Sequence, residues 1–348
     1  MEDIAGELKT FITIWFIAIA SICYGYFVQA RISHGLPRLL SLLPVITLYL
    51  ILPLPISTVH LAFPTFFFLA WLANFKLLLL AFNRGPLAST PRLPIATFIS
   101  IAILPINPRQ QSSNSNNKEV IISWHKPILL AFKAVILILI VRVVYHYKDN
   151  LQWIVTIALY FLYMHIVFEL GFAVSAFLVK MFILGFRFPM EAQFDEPYLA
   201  TSLQNFWGRR WNLMASSILR ATVYNQTRVI CTPRLGRLGG QMVAIFVTFV
   251  VSGLMHELMY WYVIRLWPTW EVTWFFVLHG VCTAVEVAVK KAANGRFRLH
   301  RVVSGPVTMA FVIVTGGWLL FPQLIRNGVV EKIINEECSI LLEIFRLD

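Results

Sequence analysis

The sequence predicts an all-α polytopic membrane protein of about eight transmembrane helices plus short interfacial or re-entrant helices, and three observations carry that prediction. Of 348 residues, 58% are hydrophobic and 13% charged, roughly half the charged share of a soluble domain. The apolar residues also fall in blocks long enough to cross a hydrocarbon core of about 30 Å, which takes roughly 20 residues of helix. Finally, Lys and Arg gather in alternate loops, as the cytoplasmic loops of a membrane protein require. The blocks run from near the start to residue 324, so the expectation is one membrane-embedded domain, 1–348.

The expected spans are 11–30, 36–56, 60–82, 127–147, 151–175, 239–262, 270–290 and 302–324. The acidic start, with Glu2, Asp3 and Glu7, and the absence of a small-residue cleavage site after the first apolar run indicate a retained anchor. Arg31 and Arg38 follow that run, which places the first loop in the cytoplasm and the N-terminus in the lumen. Arg84, Arg92, Arg109 and Lys118 agree, as do Lys290, Lys291, Arg296, Arg298 and Arg301. The acidic tail with Glu331, Glu336, Glu337 and Glu343 then falls opposite, and an even span count puts both termini in the lumen. A net charge of +12 is accounted for by this topology, and no nucleic-acid partner is expected.

Between these blocks, 93–106 is apolar but short and proline-bounded, and is expected to dip in or pack inside the bundle. The tract 107–119 reads as a polar loop. The stretch 180–240 is unusual, because it is cytoplasmic by charge and yet rich in aromatics, with Arg220, Arg228, Arg234 and Arg237 behind them. Interfacial amphipathic helices have that composition. Cys23, Cys231, Cys282 and Cys338 are scattered and have no metal-ligand spacing, so free, buried thiols and no metal are expected.

Two blocks carry chemistry. In the first, VSGLMHELMYWY, His256 lies inside an apolar span, where an ionisable group is costly and a candidate for function. Ser252 and Tyr260, at i−4 and i+4, share its face and offer polar partners. Glu257 points to another face, where it is expected to meet a basic group. A histidine that merely links helices is the competing reading, for which His60, His146 and His165 qualify equally. In the second block, Asn205 to Asn212, Arg209 and Arg210 suit phosphate binding and Asn212 suits a buried site. An interfacial aromatic belt with snorkelling arginines explains the same residues, apart from Asn212.

The segments EPYLATSLQNFWGRRWN, from Glu196, and VSGLMHELMYWY, from Val251, resemble in wording and order the two signature blocks of plant wax synthases and related sterol acyltransferases of the membrane-bound O-acyltransferase family. The resemblance implies a signature core at about 181–265, an endoplasmic reticulum membrane, and transfer of a fatty acyl group from acyl-CoA to a long-chain alcohol or, failing that, a sterol. It places the essential histidine on His256 and its polar partner on Asn212. Acyl-CoA is then a co-substrate, no cofactor is needed, and Arg209, Arg210, Trp207, Trp211 and Arg220 form the expected acyl-CoA site. No G-x-S-x-G setting is present, which favours direct transfer over an acyl-enzyme.

Two rival classes fit less well. A di-iron desaturase needs H-x-x-x-H or H-x-x-H-H spacing, which the eight histidines lack. His165 with Glu169, and His279 with Glu286, read instead as interhelical hydrogen-bonding groups. A lipid transporter or scramblase calls for two related halves with matching interrupted spans, and no internal repeat is visible.

Overall fold

The computed structural model describes residues 2–88, 93–105, 125–182, 193–293 and 300–345. The polar loop 107–119, Arg92, Arg296, Arg298 and the part 183–192 of the expected interfacial region lie outside the described residues. In chain order the helices are α1 (Glu2–Arg31), α2 (Leu36–Ile51), α3 (Val59–Thr65), α4 (Asn74–Ala81), α5 (Ile95–Ile103), α6 (His125–Tyr147), α7 (Trp153–Phe182), α8 (Leu203–Arg209), α9 (Leu213–Leu219), α10 (Asn225–Ile264), α11 (Glu271–Ala292), α12 (Arg301–Thr315), α13 (Pro322–Arg326) and α14 (Val329–Phe345). Wider π-helical turns at Phe66–Ala73, Arg220–Tyr224 and Gly316–Leu320 continue α3 into α4, α9 into α10, and α12 towards α13.

Seven helical runs among the described residues are long and apolar enough to cross a membrane. The eighth expected span is cut to the 16 residues of α2, about 24 Å of helix. The chain forms two compact helical units, one from 1–107 with 192–309, the other from 108–191 with 310–348.

In the first unit, Glu7 near the start of α1 accepts from the Ser57 and Thr58 N–H groups, both at 3.1 Å, just before α3. At the other end, Gly35 N donates to Ala81 O at 2.7 Å, and Arg38 Nη1 donates to Leu80 O at 3.1 Å. The α1 helix and the α3–α4 run are therefore parallel, and short α2 returns between their two ends. The α3–α4 run is the interior helix, with 72% of its apolar window buried, as expected of a helix apolar on all sides. The short segment expected at 93–106 does pack inside: Phe98, Ile101 and Ala102 of α5 are fully buried. Fully buried Lys76 donates to Ile101 O at 2.6 Å and Leu104 O at 2.7 Å, satisfying carbonyls that the end of a helix leaves open.

Helices α10 and α11 form an antiparallel hairpin. Gly253 and Gly280 allow it to close: a Cβ at Gly253 would lie 3.1 Å from Thr273 Cα, and one at Gly280 would lie 2.7 Å from Phe249 Cβ. At Gly236, φ 70° and ψ 175° interrupt α10, a conformation that glycine adopts without a side-chain penalty. The chain before that break, with α8 and α9, occupies the region where interfacial helices were expected.

The second unit contains α6, α7, α13, α14 and the end of α12. Its apolar interior holds a polar group: Lys133 of α6 pairs with Glu169 of α7 at 2.5 Å, and His165 Nε2 lies 3.3 Å from Glu169. The acidic tail is an ordered helix, α14, whose Glu331 accepts from Lys148 at 2.5 Å and whose Glu337 accepts from the Tyr163 hydroxyl at 2.6 Å. The four cysteines are free; Cys338 alone is buried, while Cys23, Cys231 and Cys282 are half-buried rather than buried as expected.

Candidate active site

His256 lies on α10 inside the apolar half of the hairpin. Its Nδ1 is 2.7 Å from Ser252 O, and because a carbonyl oxygen can only accept, Nδ1 carries the proton. Nε2 therefore presents a lone pair, and among the described residues it has no hydrogen-bond partner. The backbone carbonyl, rather than the expected Ser252 hydroxyl or Tyr260, orients the ring. One face of the imidazole lies against Phe276 of α11, with centroids 4.2 Å apart and planes 31° apart. The Trp71 indole, from the π-helical turn of the interior helix, meets it nearly perpendicularly at 5.1 Å. Trp71 is 2% exposed and its Nε1 has no hydrogen-bond partner among the described residues.

Glu257 corrects an expectation. Instead of a basic group, it meets the N-terminus of α11, accepting from Trp270 N at 3.0 Å, Thr273 N at 3.3 Å and Thr273 Oγ1 at 2.9 Å. Those N–H groups have no partner within the helix, and their positive end favours a carboxylate. Glu257 thereby sets how α11 meets α10, and with it the Phe276–His256 contact.

The aromatic block reaches the same place through Trp207. Its Nε1 donates to His279 Nδ1 at 3.1 Å, and its ring lies 5.7 Å from Phe276, the ring that covers His256. Glu286 of α11 accepts from Leu203 N at 2.9 Å and pairs with Lys290 at 2.5 Å. His279 and Glu286 therefore both bind α8 across the interface, as interhelical hydrogen-bonding groups. Among the described residues no three His, Cys, Asp or Glu side chains gather as a metal-binding set.

The remaining predicted site residues take distinct positions. Asn212 is half-buried at the α8–α9 corner with φ 40° and ψ 67°, and its Oδ1 caps α9 by accepting from Ala215 N at 3.1 Å. Among the described residues it makes no hydrogen bond to His256, and its Nδ2 remains available. Arg210 is committed internally, to Asn205 Oδ1 at 2.9 Å, Asp195 O at 2.8 Å and Glu196 O at 3.0 Å. Arg209 and Arg220 are exposed. Trp211 stacks on Phe206 at 5.5 Å and meets Phe194 edge-on at 5.3 Å, which fixes the fold of the block.

The α10–α11 hairpin thus carries, beside aromatic rings, an imidazole with one nitrogen held by a backbone carbonyl and the other without a hydrogen-bond partner among the described residues. The chain belongs to the membrane bound O-acyl transferase family, whose pattern matches residues 190–278 and so includes His256, Phe276 and the aromatic block with Asn212, but not Trp71, His279 or Glu286. It is 48% identical over 96% of its length to a long-chain-alcohol O-fatty-acyltransferase of Simmondsia chinensis, covering 95% of that protein. It is 45% identical to a probable long-chain-alcohol O-fatty-acyltransferase 1 of Arabidopsis thaliana, over 98% of each chain. An acyl-CoA–sterol O-acyltransferase 1 of Arabidopsis thaliana is 40% identical over 96% of this chain and 95% of its own.

Proposed function

We propose that this protein makes wax esters, transferring the acyl group of a fatty acyl-CoA to a long-chain fatty alcohol in the endoplasmic reticulum membrane, with His256 as general base. The single observation that carries the reading is the bare Nε2 of His256, held by the Ser252 carbonyl among aromatic rings. Nε2 takes the hydroxyl proton as the alcohol oxygen attacks the thioester carbonyl carbon. The resulting oxyanion collapses, the C–S bond breaks, and the imidazolium returns its proton to the departing CoA sulfur. No acyl-enzyme is required. The surrounding rings keep out water, a competing acyl acceptor.

Acyl-CoA approaches from the cytoplasmic face, where exposed Arg209 and Arg220 suit its phosphates. Trp207 and Trp211 complete the proposed acyl-CoA site, and Arg210 supports it by holding the Asp195–Glu196 backbone in place. Fatty alcohol is favoured over sterol as the acceptor because the relative named for long-chain alcohols is more similar than the one named for sterols. The test is His256→Ala in cells lacking other neutral-lipid acyltransferases. Ester synthesis is expected to fall by about a hundredfold or more at unchanged protein level, with smaller losses for His165→Ala and His279→Ala. Activity of His256→Ala within a few fold of wild type would remove the general-base role.

A further inference from the structure

We infer that Trp71 is a catalytic hydrogen-bond donor: its indole N–H receives the thioester carbonyl oxygen as that oxygen becomes an oxyanion. The inference rests on the reading of His256 as the base. Buried N–H groups nearly always find an acceptor, yet Trp71 Nε1 has none among the described residues while the side chain is 2% exposed. Among the described residues the indole is one of two aromatic rings against His256, and the other, Phe276, has no polar atom. An unpartnered donor is therefore carried by a ring that packs against the proposed base, and no acceptor among the described residues occupies it.

Indole chemistry selects the ligand atom. The group donates and cannot accept, so it must face an oxygen lone pair. The alcohol oxygen is the nucleophile, and donating to its lone pair would oppose attack. The carbonyl oxygen gains a full charge as the C–O bond to the alcohol forms, so a fixed donor there strengthens as the reaction proceeds. Trp71 transfers no proton in this scheme. Its place in the π-helical turn Phe66–Ala73 is consistent with such a role, since π-type turns often occur at functional sites.

The test uses the purified full-length protein in detergent with saturating alcohol. Trp71→Phe keeps an aromatic ring beside His256 and removes the N–H. A fall in kcat of tenfold or more, with the KM for acyl-CoA within threefold of wild type, is expected, and partial recovery in Trp71→His, which again offers a ring N–H, supports the donor. A kcat within threefold of wild type overturns it. A second measurement does not depend on the variants folding: wild-type protein is titrated with two unreactive acyl-CoA analogues, one with sulfur replaced by CH2 and the carbonyl kept, the other with that carbonyl replaced by a phosphinate, whose oxygens carry the charge of the oxyanion. Binding of the phosphinate at least tenfold tighter is expected, and equal affinities overturn the proposal. His256→Ala run alongside separates the two readings, because an active His256→Ala refutes the base and an inactive one beside an active Trp71→Phe refutes only the donor.

Discussion

Asn212 meets two demands at once. Its backbone is left-handed and its Oδ1 caps α9, both of which asparagine and aspartate satisfy about equally well. What aspartate cannot supply is the Nδ2 donor. Asn212→Asp is therefore expected to leave the protein folded and monodisperse while lowering kcat by about a hundredfold, as loss of a transition-state donor would. Steady-state kinetics in detergent check this, and a near-normal kcat would reduce Asn212 to a capping residue. His256 is legible in the sequence because an ionisable side chain stands out in an apolar run. Trp71 is not, since a Trp in such a run looks like any lipid-facing or core ring until its N–H is found to lack an acceptor. Glu257 shows a different limit: its charge is visible in the sequence, but the arrival of a helix N-terminus 13 residues later, at Trp270, is not.

The long helices are legible as elements because membrane-length apolar runs leave the backbone no alternative to helix. The α2 helix is less so, since Pro53, Pro55 and the turn to Thr58 end it early and only its bonded neighbours show that it joins the two ends of the bundle. The break at Gly236 is also hidden, because a glycine within a polar and basic helix does not announce a positive φ. The contacts that join loop to loop agree with the expected alternation: Glu7 meets Ser57 and Thr58, Arg265 donates to Leu54 O at 2.7 Å, and Lys148 meets Glu331. These residues all belong to the side read as lumenal. Which side faces the cytosol is tested by glycosylation. The native Asn225-Gln226-Thr227 acceptor triplet and one inserted near Asp195 are expected to stay unmodified, while one inserted after Asn327 is modified. The reverse pattern would invert the orientation.

At the scale of the whole molecule, the family rests on long stretches of similarity, and the site draws on sequence-distant parts of the chain: the interior helix, the aromatic block and the α10–α11 hairpin. The two signature blocks were readable in order, but their meeting through Trp207 and Phe276 depends on tertiary packing that no local pattern encodes. Acyl transfer from CoA to a long-chain alcohol is tested by a competition assay. Purified protein is given one labelled fatty acyl-CoA with equal amounts of a long-chain fatty alcohol and a sterol, and the esters are identified by mass spectrometry. Wax ester is expected as the dominant product, formed with one free CoA per ester. Sterol ester as the main product, or CoA release without ester, would contradict it.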